Sequence, residues 1–331
     1  MSPAGEAVVG LLVALGAVVV LPLGLRLLGP QVVPAPRSAA WPLAGAAAVA
    51  SLLLPHSRLA VVLTLPFVLA SAVLLGAGVR LAVRTLRPAT GRSLRPRARA
   101  VGPGGRGDIP GEVPPRVDLA ARVATVTALV LPAVGASALV AERAEWGLLG
   151  FSGTYLALTV PHMLYAGFGA ALVAGAVARL VSDDRLATAG AWGVPAGTAL
   201  VLVGYFVGDV AELVGAVVLT LALWATAAAV VRSLARPGGR PAAARALLGT
   251  AAVVVSASMV LALWWAGGEA LGFAHPSLDV MAATHGVGNA FGFVLCALLG
   301  VRLLARDGTT PAPAGEPDPT SPRPGAERST A

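Results

Sequence analysis

Long apolar runs, separated by short polar or Gly/Pro-rich stretches, occupy almost the whole 331-residue chain. A run of roughly 17 to 25 apolar residues is long enough to cross a hydrocarbon core of about 30 Å as an α-helix. The pattern predicts about nine such spans, at residues 6–28, 38–55, 59–83, 119–140, 153–180, 188–208, 210–232, 243–266 and 277–304. The second run is short and rich in alanine. We therefore expect an all-α, polytopic transmembrane helix bundle.

The arginines predict how this bundle is oriented. The segment TLRPATGRSLRPRARAVGPGGRGDIPGEVPPR between the third and fourth spans carries seven of them, at Arg87, Arg92, Arg95, Arg97, Arg99, Arg106 and Arg116. Because cytoplasmic connections collect basic residues, this connection is expected on the cytoplasmic side. Alternation then places the other arginine-bearing connections on the same side and leaves Arg58 and Arg143 opposite. The N-terminus is therefore predicted outside and the C-terminus in the cytoplasm.

The same reading divides the chain into four parts. Residues 1–83 form transmembrane helices 1 to 3, 84–118 a basic disordered cytoplasmic loop, 119–306 transmembrane helices 4 to 9, and 307–331 a disordered cytoplasmic tail. The basic loop at 84–116 is also a candidate for contact with anionic lipid. The helices fall into groups of three and six, without an internal repeat, so the sequence gives no sign of an inverted-repeat transporter.

Composition narrows the class further. Hydrophobic residues make up 56% of the chain and charged residues only 12%, against roughly 25% charged in soluble domains. A net charge of +8 would suggest nucleic acid in a soluble protein, but these charges lie between apolar spans, so no nucleic-acid partner is expected. Glu6 and the absence of a basic start indicate a retained first helix, not a signal peptide. We expect a multi-pass protein of the inner (cytoplasmic) membrane, bounded by lipid.

Two histidines lie at the same depth in this scheme. His162 lies about nine residues, or roughly 13 Å, into the fifth span, and His285 lies about eight residues, or roughly 12 Å, into the ninth. Both are in the outer half of the membrane, among small residues that favour helix packing. An intramembrane histidine is often satisfied by one interhelical hydrogen bond, so structural glue is the competing interpretation.

Helical spacing supplies neighbours for each histidine. The candidate pocket residues are His162, Tyr165, His285, Asn289, Tyr155, Thr159 and Thr284. Polar residues near the outer ends of the spans form a candidate rim, comprising Asp209, Glu212, Glu269, Asp279 and His275. Phosphate-binding loops, nucleophile elbows, HExxH and CxxC are missing from the sequence, so we do not expect an enzyme.

Two segments, LTVPHMLYAGF and LDVMAATHGVGNAFGFVLCALLGVRL, carry a resemblance to the YndJ-like family of bacterial membrane proteins. The first is similar to a family pattern HFHYAGF, matched at His162 and at 165–168. The second is similar to THGxxNAxGF, matched at 284–286, 289–290 and 292–293. Leu164 stands where the family pattern has its second histidine, and this removes a pair of histidines that would suggest a metal site. The resemblance implies a many-helix membrane protein, called a transporter in some naming schemes, without a stated cargo.

Three functions remain open on this evidence. The first is a transporter or permease-like protein with an outward-side polar pocket between the fifth and ninth helices, coupled to protons through imidazole. The second is a membrane redox or metal-binding protein that uses His162 and His285 as haem or copper ligands. The third is a non-catalytic accessory subunit in which the polar residues only hold helices together. No cofactor is required by the sequence, and the cargo and oligomeric state are not specified by it.

Overall fold

A computed structural model describes residues 1–86, 115–236 and 240–307. In these ranges the chain is all-α, without strands, and an isolated bridge between Leu148 and Phe151 is the single β interaction. Nine helices are present in this part: α1 Pro3–Leu25, α2 Ala40–Leu52, α3 Arg58–Leu86, α4 Arg116–Arg143, α5 Thr154–Leu180, α6 Arg185–Val207, α7 Asp209–Ala235, α8 Ala242–Leu271 and α9 Leu278–Arg306. All except α2 are long and apolar enough to cross a membrane. A multi-pass helical membrane protein is therefore confirmed.

Helix α2 is the element that departs most from its predicted span. It has 13 residues, whereas the prediction ran from 38 to 55. Turns occupy the preceding stretch, which contains Pro30, Pro34 and Pro36, and the helix ends before Pro55. Thirteen residues rise about 20 Å, which is less than the hydrocarbon thickness of about 30 Å. The predicted side of the N-terminus depends on whether this segment crosses, and the sidedness of both termini stays a prediction.

The predicted basic loop and tail lie mostly outside the described residues. Of the loop, only 84–86 and 115–118 are described, and both stretches continue the adjoining helices α3 and α4. Of the tail, only Asp307 is described. The expected disorder and lipid contact of these segments therefore stay predictions.

Helix α5 lies at the centre of the bundle. Its apolar window is 78% buried, more than that of any other long helix in the described ranges. It packs against α4 along its length, against α6 from its middle to its end, against α1 over its start and middle, and against α9 from its middle onward. The side chains of Leu164 and Phe168 on this helix are completely buried. The segment LTVPHMLYAGF, which contains His162, therefore lies largely inside the protein.

Helices α6 and α7 form a tight antiparallel pair. Gly208 alone joins them, with a φ of +134° that L side chains rarely adopt. A Cβ on Gly197 would lie 2.6 Å from backbone atoms of Leu219, so the lack of a side chain permits the close approach. The short connection brings the end of α6 and the start of α7 to the same end of the bundle. The candidate site lies at that end.

Candidate functional site

The segment that carries His162 does not continue as a regular α-helix. Helix α5 is α-helical to His162 and then π-helical over Met163–Gly169. Pro161 lacks the N–H that an α-helix would donate to the carbonyl of Ala157, which weakens regular winding immediately before this segment. Single π-helical turns are frequent at functional sites because they redirect side chains.

The segment that carries His285 is wound in the same way. Helix α9 is π-helical over Ala282–Gly286 and again over Gly288–Leu295. A fourth π-helical segment, Gly16–Val20, interrupts α1. The three helices that contain these segments pack against one another. Both family-like segments therefore adopt unusual winding where they meet.

The contact between α5 and α9 is a close one. A Cβ built on Gly169 would lie 2.5 Å from Cγ1 of Val294, so only glycine fits opposite this valine without a shift. On the other side of α9, a Cβ on Gly292 would lie 2.7 Å from Cγ1 of Val254 in α8. The small residues noted in the sequence thus allow α9 to pack closely between α5 and α8.

A partly open cavity of about 300 Å³ lies beside this contact. Its wall is formed by α1 and by α4 to α9, and it is mostly apolar. Small-molecule sites have volumes of roughly 300 to 1,000 Å³, so the cavity is at the lower end of that range. The described part of the chain places all three tyrosines of the sequence, Tyr155, Tyr165 and Tyr205, on this wall.

The structure brings together most of the predicted pocket residues. His162, Tyr165, His285, Asn289, Tyr155 and Thr159 line the cavity, as does Glu212 from the predicted rim. Thr284 does not line it: its side chain is exposed and donates to the carbonyl of Val280 at 2.6 Å. The other rim residues, Asp209, Glu269, Asp279 and His275, lie outside the wall.

His285 is held by a ring of three polar contacts between α8 and α9. Its Nδ1 donates to the carbonyl of Ser258 at 2.9 Å. The amide nitrogen of Asn289 lies over the imidazole, 3.0 Å from Nε2 and 3.4 Å from Nδ1, and the hydroxyl of Ser258 donates to Oδ1 of Asn289 at 2.6 Å. The Ser258 carbonyl only accepts, so Nδ1 of His285 carries hydrogen. The ring of His285 is thus held between Ser258 and Asn289.

His162 has a different environment. Its Nδ1 donates to the carbonyl of Leu158, one turn earlier in its own helix, at 2.9 Å. Its Nε2 has no hydrogen-bond partner among the described residues, and its side chain is exposed on the cavity side of α5. With hydrogen on Nδ1, the neutral ring offers Nε2 as an acceptor. His285 lies within electrostatic reach of His162, so the two imidazoles share one site.

Tyr165 connects the π-helical segments of α5 and α1. Its hydroxyl donates to the carbonyl of Leu12 at 2.8 Å, and the side chain is buried. A Cβ on Gly16 would lie 2.8 Å from Leu164, which places the start of the π-helical turn of α1 directly against this part of α5. The hydroxyl of Tyr165 is therefore used in packing, and the ring contributes to the wall.

The predicted rim separates into three parts. Glu212 is on the cavity wall and within electrostatic reach of both Asp209 and Glu269. His275 pairs with Glu269 through Nε2 at 3.0 Å. Asp279 accepts the backbone N–H of Ser2 at 3.1 Å and so ties the start of α1 to the start of α9. His275, Glu269 and Asp279 are thus used in links between segments, and Glu212 is the rim residue that lines the cavity.

The haem or copper interpretation would need a nitrogen lone pair from each imidazole, and both histidines use Nδ1 to donate to a backbone carbonyl. That interpretation stays a prediction. In residues 1–86, 115–236 and 240–307, there is no group of three or more His, Cys, Asp or Glu side chains that could hold a metal ion.

Several features were missed in the sequence. Ser258, Thr198, Tyr205 and Trp265 belong to the ring or the wall. Their polar or aromatic character inside or at the end of an apolar span was the available signal.

A second missed cluster lies where α2, α3 and α4 meet. Buried Arg143 donates to both oxygens of Glu142, to the carbonyls of Ser51 and Leu54, and to His56. His56 is therefore paired and is not simply a solvated loop residue.

Comparison with known proteins bears on this site. The family model described as YndJ-like protein matches residues 11–293, which include His162, His285 and most of the cavity wall. The chain belongs to the YndJ-like family. No curated protein and no solved structure matches this YndJ-like protein. The resemblance based on the segments around His162 and His285 is thus confirmed over most of the chain.

Proposed function

We propose that this YndJ-like protein is a transporter of the bacterial inner membrane that binds a small molecule in the cavity between α5 and α9. The observation that carries the proposal is the cavity itself, which both family-like segments line. A helix bundle with a purely structural role would be more stable if its side chains filled this space, because atoms that line an empty volume lose van der Waals contacts. A cavity with polar groups placed on an apolar wall is the usual form of a ligand site.

The free Nε2 of His162 supports a role for protons in this proposal. It faces the cavity and has no protein partner among the described residues. An ionisable side chain in that position inside a membrane is typical of substrate or proton pathways. In our proposal His162 bonds the bound molecule or exchanges a proton beside it, and His285 holds α8 and α9 in place.

Cysteine accessibility from each side of the membrane tests the proposal. Ala166 lines the cavity about 12 residues, or roughly 18 Å, into α5. The sequence contains one cysteine, so a Cys296→Ala background gives a clean reporter. Ala166→Cys is expected to react with a membrane-impermeant thiol reagent in right-side-out vesicles and, as the transporter alternates, also in inverted vesicles. Leu69→Cys is the control, because Leu69 is 67% exposed on a helix surface expected to face lipid.

The outcomes separate the candidate functions. Reaction of Ala166→Cys from one side only would contradict transport and leave a binding or accessory subunit. Failure to react from either side would contradict a water-accessible cavity. Reaction of Leu69→Cys at the same rate would show that the assay reports on the membrane and not on the cavity.

A further inference from the structure

Glu212 places a carboxyl group on the cavity wall. It lies in the first turn of α7, and Asp209 and Glu269 are within its electrostatic reach. Glu212 has no hydrogen bond or ion pair with another described side chain, and arginine does not contribute to the wall in the described ranges. A positively charged group beside Glu212 would favour its carboxylate form and pair with it.

The wall beside this end of the cavity is aromatic. Phe151 lies 6.1 Å from Tyr155, 6.1 Å from Tyr205 and 5.4 Å from Phe206, measured between ring centroids. All four rings line the cavity, and Trp265 lines it from α8. The faces of aromatic rings attract cations, most strongly where water is excluded. The aromatic wall therefore favours a positively charged group, as the carboxylate of Glu212 does.

One further polar group faces the same space. The Nε2 of His162 is a free acceptor on the cavity wall. The remaining surface is largely apolar.

We infer that the cavity takes an organic cation, specifically a protonated amine attached to an apolar body. This inference rests on the proposed function and specifies its substrate class. The ammonium group contacts Glu212 and the aromatic faces, and the apolar body lies along the aliphatic wall toward Met259 and Val294. An anion of the same shape is repelled, because the wall offers a carboxylate and no basic side chain other than imidazole among the described residues.

Three probes with one apolar body test the inference: 4-phenylbutylammonium, 4-phenylbutanol and 4-phenylbutyrate. Their binding is measured by equilibrium dialysis against the purified full-length protein in lipid nanodiscs, with empty nanodiscs subtracted. We expect the ammonium probe to bind more tightly than the alcohol and much more tightly than the carboxylate. Glu212→Gln is expected to weaken the ammonium probe roughly tenfold or more and to leave the alcohol nearly unchanged, since a charge-assisted contact is lost.

Glu145→Gln is the matched control. Glu145 is exposed at the same end of the bundle and does not line the cavity, so this variant changes the net charge equally. It is expected to leave all three affinities unchanged. Tyr205→Leu provides a second variant in case Glu212→Gln does not fold, and it is expected to weaken the ammonium probe more than the alcohol.

Equal binding of the three probes, preference for the carboxylate, or binding of none would overturn the inference. So would equal effects of Glu212→Gln and Glu145→Gln. None of these binding results would contradict transport. Transport is tested by the cysteine experiment, whose result does not depend on the charge of the cargo. Conversely, accessibility from one side only, together with selective amine binding, would overturn transport and retain the cation site.

Discussion

At the residue scale, the two intramembrane histidines share a cavity but differ in their partners. His285 belongs to the ring of polar contacts that joins α8 to α9, while His162 bonds only within its own helix. Interhelical hydrogen bonds in membranes contribute about 0.6 kcal/mol on average and up to roughly 2 kcal/mol. This difference predicts different effects of removing each side chain.

We expect His285→Ala to lower the free energy of unfolding by about 1 to 3 kcal/mol, since it removes the bond to Ser258 and the contact with Asn289 and so breaks the ring. Asn289→Ala should have a similar effect. The double variant should lose less than the sum of the two single changes, because both act on the same ring. Thermal unfolding of the four purified proteins in detergent measures these differences.

His162→Ala is the matched comparison in the same assay. Its ring contributes a single bond to a carbonyl of its own helix, so its stability should stay within about 0.5 kcal/mol of the wild type. A loss equal to that of His285→Ala would contradict the division of roles. Strict additivity of His285→Ala and Asn289→Ala would contradict the ring.

The sequence revealed part of this arrangement. Counting residues along the two apolar spans placed His162 and His285 at the same depth. The i to i+4 spacing predicted the contact between His285 and Asn289, which the structure has. It did not reveal Ser258, because a serine inside an apolar span has many possible partners. Nor did it distinguish the two histidines, since that depends on which atoms of a different helix lie opposite each ring.

At the element scale, glycines decide how closely helices approach. In α6, a Cβ on Gly197 would lie 2.6 Å from the backbone of Leu219 in α7, and backbone atoms cannot move aside as a side chain can. In α1, a Cβ on Gly10 would meet nothing within 4 Å. Both glycines are inside helices, where alanine has the higher helix propensity.

Gly197→Ala is therefore expected to destabilise the protein by about 1 to 3 kcal/mol, through displacement of α7 from α6. Gly10→Ala is expected to be neutral or slightly stabilising. The temperature of thermal unfolding distinguishes the two variants. If both changes have the same effect, close backbone packing between α6 and α7 is contradicted.

The elements also show the limit of pattern analysis. The eight long apolar runs predicted eight long helices, because hydrophobic length is a direct requirement of the membrane. The π-helical winding of Met163–Gly169 and Gly288–Leu295 was not predicted, since apolar periodicity does not distinguish it from α-helix over one or two turns. Thr284, assigned to the pocket from its neighbours in sequence, accordingly lies outside it.

At the scale of the whole molecule, the two segments that carry family membership are separated by more than 100 residues and meet inside the bundle. Their meeting forms the cavity, and every functional proposal above depends on it. The segments approach closely at Gly169 and Val294, where a Cβ on the glycine would lie 3.3 Å from the Cβ of the valine. Cysteines whose Cβ atoms are about 3.5 to 4.5 Å apart form disulfides readily.

Disulfide formation between these positions tests this arrangement most directly. In the Cys296→Ala background, Gly169→Cys with Val294→Cys is predicted to give a linked pair of peptides by mass spectrometry after mild oxidation. The valine replacement removes the methyl groups that the new Cβ would meet. The control pairs Gly169→Cys with Val253→Cys, where Val253 is 68% exposed on α8. Linkage of the first pair alone is the predicted result, and no linkage of the first pair, or equal linkage of both, would contradict the meeting of α5 and α9.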